Sequence, residues 1–438
     1  MRRTAFFLGA AWALSLCGSA PAQTSTEARL QALEKKVRAL EESQAGTPLR
    51  AYWKNGLRFA SPGGEFQLKF GGRIQNDWCF GREDGDLRKA GLDFQDGVEF
   101  RRARFYAAGT LYENVHFKAQ YEFAGGDADF KDMWVSYSGI PYIGTVKAGH
   151  IKEPFGLNRL TSSKYLSFLE RGLTDAFSPG RNTGFLFCNH LKALQDRMTW
   201  SAGIFRNTGS YGNGTHDDAA TRYNLTARIT GLPWYEEGGE KLLHLGLGWS
   251  YRDPDDGSLR YRARPESHLS PYLADTGVLG DADSVNLLGA EAAMVYGSFT
   301  LQGEYVCAMV DSKAAGDPDF SGFYLKGSWF LTGETRPYQK KTGVFSRIKP
   351  RRNFTGNFGD GPGAWEASVR FSNLDLSDSR VDGGKITTLS LALNWYLNPN
   401  TKVMFNYVHA WADRNGATAA TNYDGEGDIF QMRFQVDF

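Results

Sequence analysis

Basic residues recur on one face of the segments in which polar and apolar residues alternate. Successive side chains of an extended strand point to opposite sides, so residues of one parity share a face. Bases outnumber acids on the polar face, and guanidinium and ammonium groups both complement the oxygens of phosphate. The pattern therefore predicts a surface that attracts anions. Its bases are Lys69, Arg73, Arg102, Arg104, Lys118, Lys147, Arg222, Arg228, Lys326, Arg370 and Arg433, and its acids are Asp77, Glu122, Asp132, Glu304, Glu366 and Asp437.

A second group of charges lies in a long segment without alternation, residues 150–183. Its surplus of donors suits direct contact with an anion. An alternative stays open, because Glu170 beside Arg171 could form an ion pair that holds the segment in place. The bases of this segment are Lys152, Arg159, Lys164, Arg171 and Arg181, and its acids are Glu153, Glu170 and Asp175.

Catalysis has little support in the sequence. The seven histidines stand apart and show no spacing of metal ligands. No serine nucleophile motif is evident. The basic residues form no run on a soluble surface, so nucleic-acid binding is not expected. We predict a protein that is not an enzyme and needs no cofactor or metal.

The alternating segments are the elements that must position these charges. Segments of about ten residues, divided by turn residues, are typical of transmembrane β-barrels. We predict sixteen antiparallel strands, the first near residues 65–78 and the last near 427–438. An even number places both termini in the periplasm, with short turns at residues 112–114, 139–141, 296–298 and 398–400. The connection at residues 333–362 should also be a periplasmic turn, but it is much longer than the others.

The last nine residues alternate without a break. Phe430, Phe434 and Phe438 share one face with Met432 and Val436, and the polar residues between them share the other. A chain that ends on an aromatic residue after such alternation suits an outer-membrane barrel. Phe438 is therefore predicted to be the signal that the barrel-assembly machinery reads.

Composition favours strands over helices as membrane-spanning elements. Apolar residues make up 41% of the chain and the mean hydropathy is -0.43. Beyond the N-terminus no run approaches the ~20 apolar residues of a spanning helix. The aromatic content of 14% suits interfacial girdles and a lipid-facing band.

The N-terminus predicts export. Two arginines precede an apolar run, and residues 20–22 supply the small residues of a cleavage site, so residues 1–22 are predicted to be a signal peptide. Cys17 raises the alternative of a lipoprotein, but Leu16 before it is larger than such sites accept. The predicted location is the outer membrane of a Gram-negative bacterium, in contact with lipid and lipopolysaccharide.

Residues 23–48 predict a short periplasmic coiled-coil helix that oligomerises. Leu30, Leu33, Val37 and Leu40 occupy the a and d positions of two heptads. A lone amphipathic helix is the alternative, because two heptads are marginally stable alone. Residues 49–438 then form the barrel.

Sixteen strands enclose a lumen wide enough for water, so the inward face should carry the function. The whole chain has 50 basic and 49 acidic residues, so the basic surplus inside the predicted barrel is local. Such a surplus would focus anions into the pore. Alternatively, the lumen charges merely solvate a wide channel. In sixteen-stranded porins the third external loop folds inward, and residues 150–183 occupy that place.

Motifs dispersed from about residue 50 to residue 438 are similar to those of the phosphate-selective porins O and P. The resemblance implies a trimeric sixteen-stranded barrel, a third loop folded into the lumen, and a narrow zone where arginines and lysines replace the hydration of phosphate or polyphosphate. The motifs are Arg101-Arg102-Ala103-Arg104, Tyr121-Glu122-Phe123-Ala124-Gly125, Lys131-Asp132, Glu153-Pro154-Phe155-Gly156, Thr161-Ser162-Ser163-Lys164-Tyr165, Glu170-Arg171, Leu331-Thr332-Gly333-Glu334, Gly363-Ala364-Trp365-Glu366 and Asn394-Trp395-Tyr396-Leu397-Asn398-Pro399.

The resemblance also implies roles for four residues. Arg171 resembles the central arginine of the constriction, and Asp132 resembles the aspartate that completes the anion site. Arg159 stands where a lysine is expected, which keeps the charge but alters the geometry of the donors. Lys164 is a nearby base that could take the role of the expected lysine instead.

These observations predict a porin for passive diffusion of anions, with phosphate or polyphosphate as the expected solute and a homotrimer as the expected assembly. Two alternatives remain open. One is a general small-solute porin with weak selectivity. The other is a structural barrel that tethers the cell wall through its N-terminal helix.

Overall fold

The computed structural model describes residues 28–37, 49–214, 222–418 and 420–438. The chain divides into two units, Met1–Arg50 and Ala51–Phe438. In the first unit residues 28–37 form a helix, α1, whose described side chains are all exposed. The predicted signal peptide and Leu40 lie outside the described residues. The coiled-coil function of residues 23–48 therefore stays a prediction.

The second unit contains a closed antiparallel barrel, which confirms the predicted fold class. Each strand pairs with its neighbours in the chain. The last strand also pairs with the first, with Asp437 opposite Arg73, and this pairing closes the barrel. Closure leaves no unpaired edge, as a barrel that spans a membrane requires. The sixteen strands within the described residues are β1 (Phe66–Glu83), β2 (Gly97–Leu111), β3 (Val115–Glu122), β4 (Asp129–Ile140), β5 (Gly144–Lys152), β6 (Arg181–His190), β7 (Met198–Arg206), β8 (Asn224–Glu236), β9 (Lys241–Arg252), β10 (Ala282–Tyr296), β11 (Phe299–Ser312), β12 (Asp319–Phe330), β13 (Ala364–Asp378), β14 (Val381–Asn398), β15 (Thr401–Asn415) and β16 (Asn422–Asp437).

Short elements outside the wall complete the described structure. None of the helices in the described part of the chain is long and apolar enough to span a membrane. The helices are α2 (Gly85–Lys89) and α3 (Leu157–Leu160), with 3₁₀ turns at Leu173–Ala176, Lys192–Leu194, Glu237–Gly239 and Asp255–Gly257. The short strands are Arg50–Trp53, Leu57–Ala60, Arg262–Ala263, Ala274–Asp275, Tyr338–Gln339 and Val344–Phe345.

The last strand has the alternation that its sequence predicts. Phe430 and Phe434 are 46% and 47% exposed on the outer surface, whereas Gln431, Arg433 and Gln435 are buried. The outward residues face the apolar surroundings of the barrel, and the polar residues face the lumen. The period of two thus sorts the side chains of this strand correctly.

The C-terminal residue completes the seam between β16 and β1. The Phe438 N–H donates to the Gly72 carbonyl at 3.2 Å, and the Gly72 N–H donates to the Phe438 carbonyl at 2.8 Å. Strand Leu57–Ala60 pairs with the same strand β1 next to this point, with Leu57 opposite Phe70. The N-terminal hairpin and the C-terminus therefore meet at one end of the barrel.

We expect Gly72→Ala to impair closure of the barrel. A Cβ at Gly72 would lie 2.5 Å from the Arg104 carbonyl oxygen and 2.7 Å from Cζ of Phe438. Such overpacking costs about 1–3 kcal/mol. The measurement is the folded fraction after refolding into vesicles, followed by heat-dependent gel mobility. The control is Gly327→Ala, because its Cβ would meet only Val369 at 3.7 Å. Equal folded fractions would contradict this account of the seam.

The overlong connection between β12 and β13, residues 331–363, folds back into the barrel. We call it the tongue. Its Tyr338 hydroxyl lies 2.6 Å from Nδ1 of His244 on β9, and the Gly343 carbonyl accepts from Arg228 on β8 at 2.8 Å. Single-chain barrels place their termini and short turns in the periplasm, so the tongue enters from the periplasmic end.

Two external loops also occupy the lumen. Loop 3, residues 153–180, folds inward as predicted. Loop 5, residues 253–281, was not predicted to do so. Leu273 and Leu279 of loop 5 pack in one apolar cluster with the inward-facing Val285, Leu287 and Leu374 of the wall. The wall residues at the external end of these strands are apolar because they cover a folded loop instead of water.

Candidate functional site

Loop 3 crosses the lumen from one wall to the other. Its Ser163 hydroxyl accepts from Nη1 of Arg73 on β1 at 2.5 Å. The Asn158 N–H donates to Glu304 on β11 at 2.7 Å. Contacts with strands so far apart in the barrel mean that the loop divides the passage and narrows it.

A cluster of charges surrounds Asp132 on the wall formed by β1 to β6. Its carboxylate accepts from Nε of Arg181 at 2.7 Å and from Nζ of Lys118. Arg104 lies near this group and pairs with Glu122 at 2.5 Å. The three bases converge from three different strands, which no local sequence pattern could reveal.

Several further bases on the same side of the lumen have no acidic partner. Within the described part of the chain, Arg73, Lys147 and Lys152 form no ion pair. Lys152 donates to the carbonyl of Arg159 at 2.5 Å, and Lys147 lies 4.2 Å from the centre of the Trp134 ring. These charges are therefore not cancelled by protein carboxylates.

On the other side of the barrel the arginines are paired with carboxylates. Arg228 pairs with Glu291 at 2.6 Å, and Arg370 pairs with Glu266 of loop 5 at 2.5 Å. Arg433 of β16, the strand next to β1, is paired in the same way with Asp77 of β1 at 2.5 Å. Within the described residues, the inward bases that remain without an acidic partner are Lys69, Arg73, Lys147 and Lys152 of β1 and β5, together with Lys326 of β12 and Lys402 of β15.

Further bases line the lumen toward the periplasmic end. The Nζ atoms of Lys69 and Lys118 each lie 5.3 Å from the centre of the Tyr106 ring. Below Lys69 a cavity of about 530 Å³ opens between the N-terminal hairpin, loop 3 and the tongue. We call this cavity the vestibule. Its basic lining residues are Arg58, Lys69, Lys164, Arg347, Lys349 and Arg351, against the acids Glu240 and Glu334. Asp437 beside the cavity pairs with both Lys164 and Arg347.

Residues 68–438 match the sequence model of a protein family, phosphate-selective porin O and P. The chain belongs to this family. It is therefore an outer-membrane porin, in a family of channels and not of enzymes.

Two relatives agree with this assignment. Porin O of Pseudomonas aeruginosa is 28% identical over 421 residues, which cover 88% of this chain and 91% of the relative. An uncharacterized protein of Caulobacter vibrioides is 31% identical over 411 residues, covering 90% of this chain and 78% of the relative.

Two solved structures share the fold. The anion-selective porin from Comamonas acidovorans has a TM-score of 0.52 and 13% identity, with 85% of this chain and 100% of that chain covered. The outer membrane protein OmpT of Vibrio cholerae has a TM-score of 0.50 and 12% identity, with 85% of this chain and 98% of that chain covered. At such low identities the likeness concerns the barrel alone.

In this member of the porin O and P family, Arg171 is directed into loop 3. Its Nε donates to the Asn158 carbonyl at 2.9 Å and its Nη2 to the Thr161 carbonyl at 3.1 Å. Arg159 pairs with Asp175 at 2.9 Å and is 23% exposed. Arg171 thus supports the shape of the loop, and its place at the constriction stays a prediction.

The ion pair between Glu170 and Arg171, left open by the sequence as an alternative, is not formed. Glu170 instead binds strand arginines, with Nε of Arg101 at 2.9 Å and Nη2 of Arg433 at 3.1 Å. Burial favours the neutral acid, but Arg101, Arg102 and Arg433 outweigh it and hold the pKa of Glu170 well below its usual value. Glu170 does hold the loop in place, but through the barrel wall.

The predicted lumen bases are distributed as follows. Strands carry Lys69, Arg73, Arg102, Arg104, Lys118, Lys147 and Arg228, and Arg102 reaches Gln75 at 2.9 Å. Arg222 requires a correction, because β8 begins at Asn224 and not at residue 221. Arg222 therefore lies beyond the wall, where it donates to Asp253 at 2.9 Å. Asp253 of loop 5 therefore neutralises the charge of Arg222.

Sequence reasoning missed two groups of bases. Arg101 is absent from the predicted inward set, but a bulge opposite Gln75 and Asn76 shifts the register, and Arg101 reaches Glu170 inside the lumen. The basic residues of the tongue were also missed. The signal was present in the sequence, because Arg347, Lys349 and Arg351 stand in the connection that is too long for a turn.

Proposed function

We propose that this porin conducts anions passively across the outer membrane along the wall formed by β1 to β6. The carrying observation is that four inward bases of this wall have no acidic partner in the described part of the chain, whereas Arg228 and Arg370 of the far wall pair with carboxylates. The four bases are Lys69, Arg73, Lys147 and Lys152. A narrow passage with one sign of charge concentrates the opposite ion. Phosphate or polyphosphate is the proposed solute, because its oxygens suit several converging guanidinium and ammonium groups.

The proposed route has three stages. An anion first meets Arg104 and Arg181 above Asp132, where Lys118 supplies a third donor. It then passes Lys69 beside Tyr106. Finally it enters the vestibule, where Lys164 faces it. In this scheme Asp132 orients two of the bases, and Arg159 and Arg171 shape the loop that narrows the route.

The proposed assembly is a homotrimer. Leu30, Leu33 and Val37 on α1 are 58%, 59% and 50% exposed, so their apolar seam is available to other copies. We further propose that residues 1–22 are removed on export and that Phe438 serves the assembly machinery. Lipopolysaccharide is the proposed neighbour of the outer surface.

Recording from planar bilayers tests the proposed function. We expect a reversal potential of the anion-selective sign in a potassium chloride gradient, and a chloride current that millimolar phosphate blocks. A cation-selective sign would overturn the proposal. A chloride current that phosphate does not block would leave an anion pore but remove phosphate as its solute. A large, unselective current would indicate the general small-solute porin.

We expect anion selectivity to fall as the pH rises from 7 to 9. Burial lowers the pKa of Lys164 to about 8, although Asp437 at 3.1 Å favours its charged form. A lysine with a lowered pKa is charged below that value and neutral above it, so the vestibule loses one positive charge in this range. The measurement is the reversal potential as a function of pH.

The matched variant for this experiment is Lys164→Arg. Its guanidinium stays protonated over the whole range, so the fall in selectivity should be smaller than in the wild type. Identical pH profiles for the two proteins would exclude Lys164 as a contributor.

A further inference from the structure

A furrow runs along the outer surface of the barrel across strands β8 to β12. It encloses about 1550 Å³. In its floor Ala292 of β10 lies opposite Gly303 of β11. Leu245 of β9 lies beyond Ala292, and Leu325 of β12 lies beyond Gly303. Residues directly opposite one another share a face, so two small residues lie between two leucines and the surface is recessed.

The furrow lies on the side of the wall that faces lipid. Leu247 is 62% exposed and Leu325 is 53% exposed, as expected for the apolar band of an outer-membrane barrel. The furrow is an open trough with a mostly apolar lining. The furrow therefore offers room for acyl chains.

The periplasmic end of the furrow carries positive charge. Arg197, in the turn between β6 and β7, lines the furrow and donates to the Tyr235 carbonyl at 3.3 Å. Lys340 of the tongue donates to the carbonyl of Gln195 in the same turn at 3.0 Å. Within the residues that the structure describes, neither base forms an ion pair. Asp196, the acid of this turn, lies 2.7 Å from Nδ1 of His190 and also near Lys340 and Lys341.

Aromatic residues place this end of the furrow at headgroup depth. Trp234 and Tyr296 lie with ring centres 6.2 Å apart on neighbouring outward positions near the periplasmic turns. Tryptophan and tyrosine concentrate where the membrane meets water. Arg197 and Lys340 are thus positioned to meet a phosphate group, and the apolar floor is positioned to meet the chains.

We propose that the furrow binds one anionic phospholipid of the periplasmic leaflet. The acyl chains lie over Ala292 and Gly303 between the flanking leucines, and the headgroup phosphate binds Arg197 and Lys340. Basic residues at a membrane surface attract anionic lipids, and the shape of the furrow adds a defined place for the chains. This site is separate from the anion route inside the lumen.

The test uses the full chain reconstituted with equal amounts of phosphatidylglycerol and phosphatidylethanolamine and then extracted into mild detergent. Native mass spectrometry counts the lipids that each chain retains. We expect the wild type to retain one phosphatidylglycerol and to prefer it about fivefold. Gly303→Leu fills the floor and should reduce retention about tenfold. Arg197→Gln combined with Lys340→Gln should remove the preference between the two lipids.

The control is Ala367→Leu, another outward small residue, which lies opposite the exposed Trp329 on a different part of the wall. It should retain lipid like the wild type, and heat-dependent gel mobility should show that all variants are folded. Unchanged phosphatidylglycerol retention in Gly303→Leu would overturn the proposal. So would equal retention of both lipids by the wild type. If Gly303→Leu dissociated the oligomer without changing lipid retention, the occupant would be a second copy of the chain.

Discussion

Replacing Lys118 and Arg181 together by glutamine should lower the preference for chloride over potassium about tenfold. These two bases neutralise Asp132, so the double variant leaves an unpaired carboxylate in the passage. A unit charge at 4 Å is worth about 4 kcal/mol at an effective dielectric constant of 20, before screening by salt. A tenfold change in permeation corresponds to about 1.4 kcal/mol, well within that limit. The measurement is the reversal potential in a potassium chloride gradient.

Two further variants sharpen this experiment. Adding Asp132→Asn to the double variant removes the unpaired carboxylate and should restore part of the preference for chloride. The control is Lys89→Gln combined with Lys385→Gln, which removes the same amount of charge from exposed pairs with Asp86 and Asp375. It should leave the reversal potential unchanged. An unchanged reversal potential in the Lys118 and Arg181 double variant would show that anions take another route.

Glu366→Ala should destabilise the barrel by about 3–5 kcal/mol. The Glu366 carboxylate is fully buried and pairs with Arg336 of the tongue. It also accepts from the Ser167 hydroxyl of loop 3 at 2.7 Å and the Tyr396 hydroxyl at 2.6 Å. Its loss leaves a buried guanidinium without a partner and releases both lumen segments from the wall. Urea unfolding in vesicles measures the loss, and single-channel recording should show a more variable conductance.

A paired variant separates loss of charge balance from loss of packing. Glu366→Leu combined with Arg336→Met replaces the ion pair by apolar side chains of similar volume, a change that is often neutral. It should recover most of the stability lost in Glu366→Ala. A Glu366→Ala barrel within about 0.5 kcal/mol of the wild type would instead mean that water or a neighbouring acid compensates Arg336.

The barrel itself could be predicted because its signal is local. A period of two assigns each residue of a strand to the lipid or the lumen from its neighbours alone, as in β16, where Phe434 is outside and Arg433 is inside. The inward loop 3 was predicted from its length and position. Errors arose where the local rule breaks, at the bulge that turns Arg101 inward and at Arg222, where the strand begins later than its alternation suggests.

The arrangement inside the barrel could not be predicted in the same way. Loop 5 and the tongue have no periodicity, and only the shape of the enclosed space fixes where they fold. From the sequence, Glu170 could have paired with its neighbour Arg171, but it binds Arg433, which is far away along the chain. Ion pairing depends on distances between strands and loops, and these are set by closure of the whole barrel.

The sequence by itself determined the compartment, the strands and the excess of basic residues on the inward face, because export signals, alternation and residue type are all properties of short segments. Only the tertiary structure decided which bases keep their charge unopposed. Arg228 and Arg370 have the same residue type as Arg73, yet Glu291 and Glu266 neutralise the first two and no carboxylate pairs with the third in the described part of the chain. The physical reason is that charge attracts an anion only where no carboxylate is already close enough to cancel it.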